Sequence, residues 1–171
     1  MKKVRLVGLA LAGALAAAPM AGFAQYQNRA STESVPNFYG GIGGGYYWAD
    51  GGGVDDDSAA WRAYAGANFL PWLGVEGMYA NFGEIDGGSL DVDGWGLAAV
   101  AQWPIAGFLP YVKLGNFWWD ADAGGDGDDL FGGAGVRFNL AEHVDLRVEY
   151  NRFEFDDVDA DTAWVDVQYR F

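Results

Sequence analysis

Stepping back in twos from Phe171, the chain gives Tyr169, Val167, Val165 and Ala163, while the interleaved positions are Arg170, Gln168, Asp166, Trp164 and Thr162. One apolar row alternating with a mostly polar row is the pattern of a strand whose two faces meet different media. The theme recurs upstream as aromatic, glycine-rich runs, eight in all with the last. Phe38, Ile42, Tyr46 and Trp48 share a side in the first. Trp61, Ala63, Ala65, Ala67 and Phe69 oppose Arg62, Tyr64 and Asn68 in the second. Leu73, Val75 and Tyr79 oppose Glu76 in the third, and Trp95, Leu97, Ala99, Ala101 and Trp103 oppose glycines, Ala98, Val100 and Gln102 in the fourth. The fifth sets Val112, Leu114 and Trp118 against Lys113. The sixth sets Leu130, Ala134, Val136 and Phe138 against Arg137 and Asn139. The seventh sets Val144, Leu146, Val148 and Tyr150 against Asp145, Arg147, Glu149 and Asn151.

Each run is about ten residues, the ~9–11 that a tilted strand needs to cross a hydrocarbon layer and longer than the ~5–6 usual in soluble sheets. Aromatic residues sit near the ends of the apolar rows: Trp48, Trp61, Trp95, Trp103, Trp118, Tyr150, Tyr169 and Phe171, with Phe69 and Tyr79. Rings bounding an apolar band match the girdles of an outer-membrane barrel. Connections alternate too. "LPW", "PIAGFL" and "AEH" follow the second, fourth and sixth runs, whereas "DGGGVDDDS", "GEIDGGSLDVD", "DADAGGDGDD" and "EFDDVDAD" follow the odd ones. Those four stretches hold 18 of the 24 carboxylates and no Lys or Arg. An even strand number brings both chain ends to the short-turn side and gathers the acidic stretches on the other, outer side.

Composition narrows the class. Lys2, Lys3 and Arg5, the apolar "LVGLALAGALAAA" and the small residues Gly22 and Ala24 predict a secretory signal peptide over 1–24, then a short lead-in over 25–36 and the barrel over 37–171. Without the leader, the 10 Lys and Arg fall by three to seven, against 24 Asp and Glu, so the formal charge is −17. A nucleic-acid partner is therefore not expected. The chain contains no cysteine, which excludes a disulfide scaffold and a thiol nucleophile.

With "LGVEGMY", "PYVKLG", "FGGAGVRFNL", "LRVEYNRF" and the closing "VQYRF" in this order, the chain resembles the eight-stranded outer-membrane barrels related to the OmpA transmembrane domain, over roughly Asn37 to Phe171. The resemblance implies an all-β, antiparallel up-and-down transmembrane barrel in the cell outer membrane, monomeric, among outer-membrane lipids and lipopolysaccharide. It also implies insertion by the outer-membrane assembly machinery, which reads a terminal aromatic such as Phe171. Two departures are expected: a peptidoglycan-binding domain after the barrel is not predicted, and Val100 stands where relatives often place an inward cation.

Eight strands enclose a space that side chains fill. The predicted inward charges are Arg62, Glu76, Lys113, Arg137, Arg147, Glu149, Asp166 and Arg170, five cations and three anions. Isolated charges in such an interior cost several kcal/mol each, so pairing is expected. The outcome is a salt-bridged lumen in a barrel with a structural, envelope-integrity or surface-interaction role. The alternative is a narrow, porin-like channel for small solutes gated at Glu76, and a third class, a soluble lipocalin-like binder, would turn the apolar rows inward.

Enzyme chemistry lacks its parts. His143 is the one histidine, and none of the mature serines Ser31, Ser34, Ser58 and Ser89 is expected near it, so no hydroxyl nucleophile has a base. No cofactor is expected. Asp120, Asp122, Asp126 and Asp128 in "DADAGGDGDD" are weak candidates for Ca²⁺ or Mg²⁺: the glycine–aspartate motif occurs once rather than in tandem, and no glutamate stands at the twelfth position of an EF-hand loop.

Overall fold

A computed structural model describes residues 35–171 apart from 52–53, 86–89, 104, 106–107, 122–124 and 156–157. The expected leader and most of the lead-in lie outside the described residues. The alternating runs form eight strands: β1 (Asn37–Gly51), β2 (Val54–Leu70), β3 (Leu73–Ile85), β4 (Leu90–Gln102), β5 (Leu109–Ala121), β6 (Gly125–Asn139), β7 (Val144–Phe155) and β8 (Val158–Arg170). Each pairs antiparallel with its chain neighbours, and β8 pairs with β1, from Tyr39↔Arg170 to Asp50↔Asp159, closing the barrel. The Phe171 backbone N–H donates to the Phe38 carbonyl at 3.0 Å and carries the seam to the last residue. Closure leaves no unpaired sheet edge, which is what a lipid environment demands.

The apolar rows face outward. Ile42, Leu114, Leu97, Val165 and Val167 are 68, 65, 55, 52 and 51% exposed, while Arg62, Glu76, Arg147, Glu149 and Asp166 are at most 2% exposed. That is the reverse of a soluble barrel, so the lipocalin-like arrangement is excluded.

The strands are longer than the ten-residue runs suggest, at 12 to 17 residues, because the acidic stretches continue the ladders instead of looping. Asp50 still faces Asp55 in register, and Asp120 faces Asp126. A carboxylate side chain leaves the backbone N–H and C=O free for the ladder, so an acidic stretch does not by itself end a strand. Strand bounds leave only two to four residues between partners at this end.

Inward glycines make room for inward rings. Tyr39 faces Gly66 and Tyr64 faces Gly41 across the β1–β2 ladder. A Cβ on either glycine would meet the opposite phenol at about 2.5 Å, so each ring lies flat over the neighbouring backbone. On β3, register shifts between Asn81 and Glu84, where Gly83 takes φ 71° and donates its N–H to Asn81 Oδ1 at 3.0 Å. That left-handed residue is a bulge glycine, and the ladder twists there.

Candidate functional site in the lumen

Three kinds of side chain fill the interior, in layers along the axis. In the middle, six ionised groups from five strands form one network. Arg62 on β2 grips Asp166 on β8 with two bonds, Nε to Oδ1 at 2.8 Å and Nη2 to Oδ2 at 2.5 Å, and its Nη1 reaches Glu149 Oε1 on β7 at 2.5 Å. Lys113 on β5 lies 2.6 Å from Glu149 Oε1 and 3.4 Å from Glu76 Oε1 on β3. Arg147 on β7 bonds Glu76 Oε2 at 2.7 Å and Glu149 Oε2 at 2.6 Å. The Tyr111 hydroxyl donates to Glu149 Oε2 at 2.6 Å and accepts from Arg147 Nε at 3.0 Å.

Three cations and three carboxylates cancel. Rings complete the shell: the Arg147 guanidinium lies 4.2 Å from the Tyr64 centroid, and that of Arg62 lies 4.7 Å from Trp164. Strand alternation aims all six inward, and closure brings together partners as far apart as 104 residues. Val100, which stands on the inward row of β4, is register partner to Lys113 of β5.

The other two predicted charges lie elsewhere, nearer the short-turn end. Arg170 Nε is 2.9 Å from Asp145 Oδ2, and its Nη2 donates to the Glu142 carbonyl at 3.0 Å. Asp145 stands on the predicted inward row of β7 but is absent from the expected charge set. Arg137 Nη2 donates to Gln102 Oε1 at 2.8 Å and has no carboxylate partner among the described residues.

Toward the acidic end, the sequence reading missed a whole layer. Phe82, Phe117, Phe131, Phe153 and Trp164 are at most 3% exposed and interlock inside the barrel. Phe82 lies 5.7 Å from Phe117 and from Phe153 and 6.3 Å from Trp164, and Phe131 stacks on Phe153 at 5.3 Å. Tyr47, Val92 and Trp119 pack against this cluster. The signal was available, since Phe117 is two steps of two beyond Lys113 and Phe131 three before Arg137.

The predicted interface aromatics point outward and fall at two heights. Trp61, Tyr79 and Trp95 form a chain of contacts at 5.5 and 5.0 Å, with Trp95 facing Trp118 in register. Trp48 packs on Tyr46 at 5.6 Å. Tyr150, 47% exposed, donates its hydroxyl to Asp161 Oδ1 at 2.5 Å. At the other end Tyr169 packs edge-on against Phe171 at 5.3 Å, and Trp103 is 44% exposed.

Of the weak cation candidates, Asp120 and Asp126 are exposed register partners, Asp128 accepts from Asn116 Nδ2 at 3.1 Å, and Asp122 lies outside the described residues. Among the described residues no three acidic or histidine side chains converge as a metal site would require. His143 lies in the turn before β7 and Ser58 near the opposite end of β2, so the barrel length separates them. Ser31, Ser34 and Ser89 lie outside the described residues.

None of the curated proteins compared with the chain matches it. Solved structures do. Neisserial surface protein A shares 17% identity at TM-score 0.65, over 78% of this chain and 97% of that one. Ail, the attachment invasion locus protein of Yersinia pestis, shares 21% at 0.58, over 80% and 99%. The outer membrane protein OprG of Pseudomonas aeruginosa shares 17% at 0.56, over 80% and 96%. At these identities the likeness speaks for the fold. The sequence itself matches the outer membrane protein beta-barrel domain family over residues 7–171. The chain therefore belongs to that family, and its place is the cell outer membrane, which it crosses as an eight-stranded barrel.

Proposed function

We propose that the protein is a closed, non-conducting barrel whose work is done at its surfaces: it maintains the envelope and presents an acidic rim to the outside. The observation that carries this reading is the charge-neutral network of Arg62, Lys113 and Arg147 with Glu76, Glu149 and Asp166. Every cation in it has at least two carboxylate contacts or a bidentate one, with no member more than 4% exposed. A conduit needs polar groups that can exchange partners with a passing solute, and groups this fully engaged resist exchange. The aromatic layer beyond it is a second closure in series.

Phe171 supports the reading of assembly by the outer-membrane insertion machinery: it is 78% exposed beside the closing seam, where its backbone N–H donates to the Phe38 carbonyl. With 18 of 24 carboxylates in the four stretches at the opposite end, the outer rim repels polyanions and meets lipopolysaccharide phosphates through counter-ions rather than directly.

Planar-bilayer recording on the refolded barrel tests the plug. Silence is expected for the wild type and for Phe82→Ala alike, because the ion-pair layer remains. Discrete steps in the wild type, abolished by Glu76→Gln or Lys113→Met, would establish the narrow-channel alternative instead.

A further inference from the structure

The apolar band around the barrel ends differently at its two edges. Toward the acidic end it stops at the next position of each lipid-facing row: Asp93 follows Trp95, Asp120 follows Trp118, Asp128 follows Leu130 and Arg152 follows Tyr150. Toward the short turns no such charge appears. The lipid-facing row of β4 runs on past Trp103 to Ile105, 46% exposed in the turn, and that of β6 runs past Phe138 to Leu140, 60% exposed. Trp72, between β2 and β3, is 56% exposed. In sequence the three turns carry only two ionisable side chains, Glu142 and His143.

The turn residues continue the sheet instead of leaving it. The Trp103 N–H donates to the Pro110 carbonyl at 3.1 Å, and Ile105 and Phe108 exchange two N–H to carbonyl bonds at 3.0 Å, so the β4–β5 ladder reaches into its turn. Phe108 packs on Phe138 at 6.5 Å. Length gives the extension a meaning. Trp95 to Trp103 is eight residue steps. At ~3.3 Å per step and a tilt of ~40° these cover ~20 Å along the membrane normal, short of the ~25 Å apolar band of such barrels. Trp95 to Ile105 is ten steps, and so is Leu130 to Leu140. Ten steps cover ~25 Å, so both rows reach full height only when their turn residues are included.

We propose that the short turns are a lipid-binding surface: Trp72, Ile105 and Leu140 lie in the headgroup and upper acyl region of the leaflet at that end, so the barrel sits with its turns submerged instead of projecting into water. Lipid is the occupant for two reasons. The exposed apolar residues come from all three turns, and Phe171 beyond β8 adds a fourth point, so they ring the barrel, whereas a protein partner would mark one sector. The ring is also continuous with the face that already meets hydrocarbon. An indole such as that of Trp72, apolar with one N–H, suits this depth. The inference is independent of whether the lumen conducts.

Because the chain has no cysteine, single variants Ile105→Cys and Leu140→Cys can each carry one nitroxide label. Val165→Cys is the reference within the band and Asp120→Cys the reference in water. With the barrel refolded into dioleoylphosphatidylcholine vesicles, each label is tested for collision with oxygen, which concentrates in the bilayer, and with a nickel chelate, which stays in water. The ratio of oxygen to nickel collisions at 105 and 140 is expected to exceed that at 120 several-fold and to approach that at 165. Ratios matching 120 at both positions would put the turns in water, free for a protein partner, and overturn the proposal. One dry label and one wet label would overturn it too, since a submerged end is dry all round. Leu140→Asp checks the result without a label: its urea midpoint in the same vesicles should fall below that of the wild type, and an unchanged midpoint overturns the proposal.

Discussion

The two neighbouring layers of the lumen solve the same packing problem by opposite means. In the hexad, contact is directional: Glu149 alone receives Arg62, Lys113, Arg147 and Tyr111 on its two oxygens. In the aromatic layer it is diffuse, as Phe82 meets Tyr47, Phe117, Phe153 and Trp164 at ring separations of 5.5 to 6.3 Å with no single partner decisive. Deleting one member of a polar network strands the others in a low dielectric, whereas deleting one ring leaves a hole that neighbours partly fill. The layers therefore differ less in how much they stabilise than in how they fail.

The largest effect is expected at Glu149. Glu149→Ala leaves three cations facing two carboxylates, and loss of a buried partner of this kind costs about 4–5 kcal/mol. Urea titration of the barrel refolded into vesicles measures it, with the heat-modified gel shift as the folded signal. Glu149→Gln, which keeps the shape and removes the charge, should recover little, and full recovery by glutamine would mean that packing rather than ionisation holds this layer.

Next comes Phe82. Phe82→Ala should cost about 3 kcal/mol for the lost burial and the cavity. In contrast to the Glu149 pair, the conservative Phe82→Leu should recover most of that and lie within about 1.5 kcal/mol of wild type, because neighbouring rings adjust. If leucine fared as badly as alanine, the aromatic layer would be as rigidly specified as the ionic one and the contrast would collapse.

The two layers are unequally legible in the amino-acid sequence. Charges on the inward rows stand out because Lys113 or Glu76 amid apolar residues has one sensible direction in a membrane strand. Rings do not, since an aromatic suits both the lipid interface and the core, and toward the acidic end they occupy both rows: Tyr47 beside Trp48, and Phe117 to Trp119 in succession. There alternation carries no contrast, and the inward set is found only by extending the parity of Lys113 or Arg147. Strand lengths were underestimated for a related reason. Asp-rich stretches read as loops, although a charged side chain does not prevent its backbone from pairing. The pairing pattern was beyond reach from sequence, because that Arg170 meets Asp145 while Arg137 meets the Gln102 amide and the Tyr39 ring depends on the register around a closed barrel.

The smallest effect is the most diagnostic for the ionic layer. Removing Arg62 and Asp166 together, as Arg62→Met with Asp166→Leu, leaves Lys113 and Arg147 facing Glu76 and Glu149, still neutral and still in contact at 2.6 to 3.4 Å. The new side chains meet the Trp164 and Tyr64 rings that the guanidinium now covers at 4.7 and 5.5 Å. Charge-balanced replacement of a buried pair by apolar groups is often close to neutral, so the double variant should lie within about 1 kcal/mol of wild type. Asp166→Leu alone should cost about 3 kcal/mol, because it leaves a surplus cation inside. The cycle therefore predicts strong coupling between the two sites, read from the same urea titrations. Additive losses would mean that the hexad stabilises the barrel pair by pair. A near-neutral double variant would mean that the charges are tolerated because they cancel, and that their use lies in keeping the lumen shut.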